Sequence, residues 1–153
     1  MSYSAPLEML ADAGGSVTFG WADEGVYYAR FNRSLSARLG EAFSGRLRSA
    51  VEAAPSINYF ADGRALESYD LLARSAFVRV VSEHRRKFEL LTLLSWAGAE
   101  INSALVKALG QPLVVAKDAL EFEALLLSAA PRSRVKIGAK PESPHGTRWP
   151  LRR

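Results

Sequence analysis

The side chains best suited to acid–base or metal chemistry are few. His84 and His145 are the only histidines, and neither has a second His or Cys at ligand spacing. Nothing in the sequence places a nucleophile beside His84, which reads as a partly exposed residue favoured by a helix C-terminus. The chain has no Cys, which excludes disulfides, thiolate nucleophiles and thiolate metal sites. No serine lies in a G-x-S-x-G turn; Ser16 and Ser44 each adjoin one glycine. Glu121 and Glu123 fall on different faces of one helix and read as solvated surface. Asp62-Gly63 has one glycine, and Gly14-Gly15 precedes a strand, so neither supplies a phosphate-cradling loop. The expectation is a protein that is not an enzyme, with no metal and no cofactor.

Recognition is the chemistry left. Phe19, Trp21, Tyr27, Tyr28 and Phe31 crowd one short stretch together with Arg30. Trp, Tyr and Arg are the residue types that dominate interface hot spots. An aromatic hairpin at a sheet edge also offers a strand for pairing with another chain. Trp21, Tyr27, Tyr28 and Arg30 are therefore the expected protein contact, and the same edge would serve a homodimer.

The elements that must hold these residues follow from periodicity. Residues 16–22 alternate, with Val17, Phe19 and Trp21 on one side. Asp23-Glu24-Gly25 is a turn in which Gly25 can take a positive φ. Residues 26–32 form the second arm of a hairpin. Leu39, Phe43, Leu47, Ala50 and Val51 recur at helical spacing, with Ser34 or Ser36 as cap and Pro55 as terminator. Residues 57–61 predict a short buried strand closing on an Asp62-Gly63 turn. A second helix is expected over 69–86, with Leu72, Ala76, Val80 and Val81 inside and Arg85-Arg86-Lys87 at its negative end. The run FELLTLL at 88–94 predicts a strand covered on both faces. A third helix carries Ile101, Leu105, Ala108 and Leu109. Leu113-Val114-Val115 is the last strand, and Asp118 with Glu121 forms a capping box for a fourth helix.

The order β-β-α-β-α-β-α-β-α predicts a single α/β domain, mostly parallel, with an antiparallel hairpin first and helices on both faces. A length of 153 residues suits one domain, and 48% apolar with 24% charged residues is an ordinary globular balance. Domain limits are expected at 15–130, with a lead-in over 1–14 and a basic, flexible tail over 131–153. That tail holds seven cations against Glu142, a net +6 set against +4 for the whole chain, which leaves the first 130 residues at −2. Nucleic-acid binding is disfavoured because the body lacks a basic face; the tail offers at most weak attraction to an anionic membrane. Residues 1–15 do not resemble a signal peptide. The nearly uncharged stretch 90–99 falls far short of the roughly 20 residues of a membrane span, so a cytoplasmic protein is expected.

The hairpin, the strand–loop–helix NYFADGRALESYD at 58–70, the apolar strand ELLTLL at 89–94 and the last strand and helix resemble the STAS-like fold of anti-sigma-factor antagonists. That resemblance implies a bacterial, regulatory protein-interaction module. In those antagonists an Asp-Ser-Ser-Gly-like motif carries a phosphorylated serine, and Ser68 stands at the corresponding place here. The adjacent serine and the glycine are missing, and Glu67 and Asp70 bracket the site with negative charge. Ser68 is thus read first as a helix N-cap and second as a phosphorylation switch. The preferred function is a non-enzymatic module regulating a partner protein through surface contact. Two alternatives stand beside it: an immunity protein neutralising a bacterial toxin, and a carrier of a small apolar ligand.

Overall fold

The computed structural model describes residues 5–95 and 113–138. Among these, six strands form one sheet in chain order: β1 (Glu8–Ala11), β2 (Gly15–Asp23), β3 (Val26–Leu35), β4 (Ile57–Tyr69), β5 (Phe88–Ser95) and β6 (Leu113–Ala116). The first three are antiparallel neighbours, and each later pair is parallel. Helix α1 (Ala37–Ala53) carries the chain from β3 to β4. Helix α2 (Leu71–Glu83) and a 3-10 turn (Arg85–Lys87) carry it from β4 to β5, and α3 (Ala119–Ala129) follows β6. The third helix expected around Ile101–Leu109 lies outside the described residues.

The core has two layers, one on each face. On the first, Val17, Phe19, Tyr27, Ala29, Tyr59, Ala61, Leu91 and Leu93 from the strands meet Leu39, Phe43, Leu47 and Val51 of α1 and Val80 and Val81 of α2. On the second, Ala22, Val26, Tyr28, Phe60, Leu94 and Ala116 meet Phe122 and Leu126 of α3. Leu93 and Leu94 are buried on opposite faces, so β5 is covered on both sides as its unbroken apolar run predicts. Ser36 caps α1 by accepting the Leu39 N–H at 3.0 Å, and Asp118 caps α3 by accepting the Glu121 N–H at 2.8 Å. Gly25 closes the β2–β3 turn at φ 73°.

Several expectations are corrected. A further strand, β1, pairs with Ser16–Phe19 of β2, so that part of the aromatic hairpin is not an edge. Strand β4 does not turn at Asp62-Gly63 but continues to Tyr69. The Asp62 carboxylate is held by the Arg64 guanidinium as well as by the Arg64 N–H, and the chain stays extended through Gly63 in register with β3 and β5. The inward stripe of α2 is Ala73, Val80 and Val81, while Leu72 faces outward.

Pro131 is not where packing ends. Residues 131–138 adopt no regular secondary structure, yet Val135 and Ile137 are buried in the second core layer while Lys136 and Gly138 are exposed. The Arg132 side chain pairs with Asp23 and the Arg134 guanidinium donates to Trp21 O at 3.2 Å. The Arg64 Nη1 donates to Gly138 O at 2.7 Å. The segment therefore runs as a strap from the end of β2, across β3, to β4. Burying an aliphatic side chain contributes roughly 1.5–3 kcal/mol, so two of them outweigh the entropy of ordering only a short stretch of chain.

Helices α1 and α2 approach most closely at Gly40, where an added Cβ would lie 2.3 Å from Ala73 Cβ and 2.7 Å from its Cα. Gly45, in the same helix, faces open space. In urea unfolding, Gly40→Ala is expected to destabilise by about 1–3 kcal/mol through overpacking. Gly45→Ala is expected to stabilise by about 0.5–1 kcal/mol through helix propensity.

Candidate functional site

The parallel pair β3–β4 ends with Ser34 opposite Ser68 and Leu35 opposite Tyr69. Both strands then feed helix N-termini at the same end of the molecule. The two serine hydroxyls lie 2.8 Å apart, with either able to donate, and Ser68 is exposed. Beside them the Asp70 N–H donates to Leu35 O at 2.9 Å, and the Asp70 carboxylate accepts the Leu72 N–H at 2.8 Å. Asp70 is therefore the cap of α2. Ser68 is not, because it lies two residues too early and inside the strand.

Two irregularities deform the pairing just before this end. Between Arg30 and Asn32, β4 inserts one extra residue opposite β3, and it does so again between Arg33 and Ser34. Bulges of this kind re-aim side chains near functional sites. Arg33 itself holds φ 67°, a left-handed conformation uncommon for a residue with a Cβ. A hydrogen-bonded loop braces the region from β1: Asp12 accepts the Gly14 and Gly15 N–H groups and the Ser36 hydroxyl, the last at 2.6 Å. The Ser36 hydroxyl first, and then the Gly14 N–H, hold the Asp12 carboxyl below its usual range. Its contribution is thus present above the ordinary carboxyl range and lost as pH falls through the lowered value.

At the first turn of α2 the surface becomes apolar. Leu71 is 64% exposed and Leu72 is 63% exposed, directly after the serine pair and the Asp70 cap. Leu71 and Leu72 are adjacent and lie beside the bulged strand end, which makes this end the candidate contact site.

The residues expected to form the contact lie elsewhere. Tyr27 and Tyr28 are 3% and 1% exposed, and Trp21 is half-buried, packed edge-on against Tyr27 with ring centroids 5.0 Å apart. Neither tyrosine is open to a partner, because Tyr27 is packed into the core layer on one face of the sheet and Tyr28 into the layer on the other. Arg30 is half-buried and hydrogen-bonds Tyr28. Burial, and then the nearby Asp62 charge, push the Tyr28 hydroxyl up to about 12.

Arg30 and Tyr28 adjoin the most buried charges described. Asp62 and Arg64 form a two-pronged ion pair, Nε to Oδ1 at 3.0 Å and Nη2 to Oδ2 at 2.9 Å, with side chains 1% and 4% exposed. The Arg64 N–H also donates to Asp62 Oδ1. The signal for this pair was present in the sequence as opposite charges two residues apart in a strand, hence on one face. The turn signal of Asp62-Gly63 concealed it.

His84 ends α2 with Nδ1 3.0 Å from Val80 O and Nε2 3.5 Å from Glu52. Among the described residues no group of three or more His, Cys, Asp or Glu could hold a metal ion. His145 lies outside them.

A protein of the DUF3478 family from Shewanella loihica PV-4, solved as a SpoIIAA-like fold, matches with a TM-score of 0.55 at 14% identity, over 76% of this chain and 98% of that one. The fold is STAS-like. A chain of the Pseudomonas malonate decarboxylase MdcD–MdcE heterodimer matches with a TM-score of 0.50 at 14% identity, over 89% of this chain and 68% of that one. At this identity both likenesses speak to architecture alone. No protein-family model matches the sequence, and no curated protein matches it. The STAS-like framework accounts for the hairpin, the parallel strands and the placement of α1 and α2 on one face.

Removing one partner of the buried pair strands the other without compensation, so Asp62→Asn is expected to cost about 3–5 kcal/mol in chemical denaturation. The double change Asp62→Leu with Arg64→Met should recover most of that loss, since neither charge then remains to be solvated.

Proposed function

We propose that this protein is a non-enzymatic, cytoplasmic STAS-like module that regulates a partner protein through the end of the molecule where β3 and β4 finish and α2 begins. The observation that carries this reading is the open Leu71–Leu72 pair at the first turn of α2, set beside the hydroxyls of Ser34 and Ser68. Apolar side chains on a helix turn supply the area a contact needs, and the surrounding polar groups supply orientation. Among the described residues no helix is long and apolar enough to cross a membrane.

In this reading Ser68 acts as a charge switch on the contact. A phosphate there would replace a neutral hydroxyl pair with about −1.5 to −2 charge at neutral pH. Glu67 precedes it and Asp70 follows it, so its nearest charged neighbours in sequence add to the new charge. Modification would therefore repel an acidic partner surface and desolvate poorly beneath an apolar one. The module would bind while Ser68 is unmodified and release when it is phosphorylated.

The test is direct. Leu71→Asp with Leu72→Asp is expected to weaken binding of a partner, captured with the intact protein, by at least tenfold. Thermal unfolding should stay nearly unchanged, because the replaced side chains are exposed. Ser68→Glu should weaken binding likewise, and Ser68→Ala should preserve it. Retained affinity in the double leucine variant, measured by calorimetry, would discard this surface.

A further inference from the structure

Helices α2 and α3 pack on opposite faces of the sheet. Helix α2 buries Ala73, Val80 and Val81, so Leu72 and Arg79, seven residues apart, share a line on its outer side, and both are exposed. Helix α3 buries Phe122 and Leu126, yet its outer side carries Leu120, Ala124 and Leu127. Leu120 is 77% exposed and Leu127 also lies open. A helix apolar on both sides is ordinarily enclosed by neighbours.

The charges around these two outer sides are opposite. Residues 71–87 hold Arg74, Arg79, Arg85, Arg86 and Lys87 against Glu83, five cations against one acid, a net +4. Glu83 is itself bound by Arg48 of α1. Residues 117–129 hold Lys117 against Asp118, Glu121 and Glu123, one cation against three acids, a net −2. One molecule therefore presents a basic helix with open leucines on one face and an acidic helix with open leucines on the other.

We propose that copies of this chain associate head to tail, with the outer side of α2 on one copy seated antiparallel on the outer side of α3 of the next. The occupant is a second copy because a single chain carries both complementary surfaces. Leu72 and Arg79 are separated by seven residues, as Leu127 and Leu120 are. Antiparallel docking thus sets Leu72 against Leu127 and Arg79 against Leu120, with Glu123 one turn away on α3. The Arg79 stem covers the exposed leucine while its charge meets the acid. Like-with-like pairing is disfavoured, since two α2 surfaces would oppose cation to cation and two α3 surfaces acid to acid. Because the surfaces lie on opposite faces of the sheet, one copy engages two neighbours, which closes a ring or extends a chain. The contact is small, of the weak class that dissolves on dilution. This inference rests on the reading of the Leu71–Leu72 end as a contact surface and gives that end a second occupant.

Sedimentation velocity on the full chain, over about a hundredfold range of concentration, tests it. The unmodified chain is expected to form larger species as concentration rises and to lose them as salt is raised. Leu72→Asp sets an acid against the acidic helix, and Leu120→Arg sets a cation against the basic one. Both positions are exposed, and each variant alone is expected to lose association at least tenfold. Mixed, the two should form a one-to-one complex that grows no further, because one intact α2 surface and one intact α3 surface remain between them. Arg79→Glu and Glu123→Arg give an independent check: each alone weakens association, and both in one chain restore it. A chain that stays monomeric throughout would overturn the proposal. So would either first variant associating alone as the unmodified chain does, a mixture that stays monomeric, or no recovery in the charge-swapped chain. The two readings of the Leu71–Leu72 end fail separately: Leu120→Arg leaves both leucines in place, so it is expected to keep its affinity for a captured partner while losing self-association.

Discussion

Two parallel strands cannot be joined by a tight turn, so the pairing of β3 with β4, from Val26 beside Asn58 to Leu35 beside Tyr69, forces the chain to cross over through α1. The same constraint repeats between β4 and β5, and α2 makes that crossing on the same face. Both crossings begin at the same end of the sheet. That is why Ser34 meets Ser68, why the caps Ser36 and Asp70 stand side by side, and why the exposed start of α2 lies next to a pair of hydroxyls. The location of the candidate contact follows from strand direction, and its apolar character from Leu71 and Leu72.

The second face is organised by a different force. Asp62 and Arg64 are taken out of water together, and the pair is tolerable only because each prong and the backbone N–H find an acceptor. The local bulge in β4 is linked to this, since the extra residue lies between Asp62 and Ala65 in the register with β3. Opposite charges at alternate positions favour one register over its neighbours, because a one-residue slip would carry both into the apolar layer on the other face. The strap completes this face by giving Arg64 a further acceptor and the aliphatic layer its cover.

Much of the architecture was legible from residue spacing. The hairpin, α1 with its serine cap, the doubly covered β5 and the capping box of α3 all follow local rules that nothing distant opposes. The misses share a physical cause, which is that a tertiary partner overrode a local signal. Strand β1 is four residues with one half-buried side chain, too short to show a period. Asp62-Gly63 reads as a turn until Arg64 claims the carboxylate. Ser68 reads as a cap until Asp70 is seen to hold that role. Val135-Lys136-Ile137 alternates over only three residues among prolines and cations, so its burial leaves almost no trace in the sequence. The aromatic hairpin stands out by its composition, but composition does not tell an interior strand from an edge.

The proposed meeting point with a partner is the joint end of β3, β4 and α2. Hydrogen exchange measured with and without the bound partner tests it most directly. Exchange is expected to slow across residues 66–74 and 33–38, with no change in the interior of the β2–β3 hairpin or along α3. Protection confined to α3 or to β1, with residues 66–74 unaffected, would contradict it.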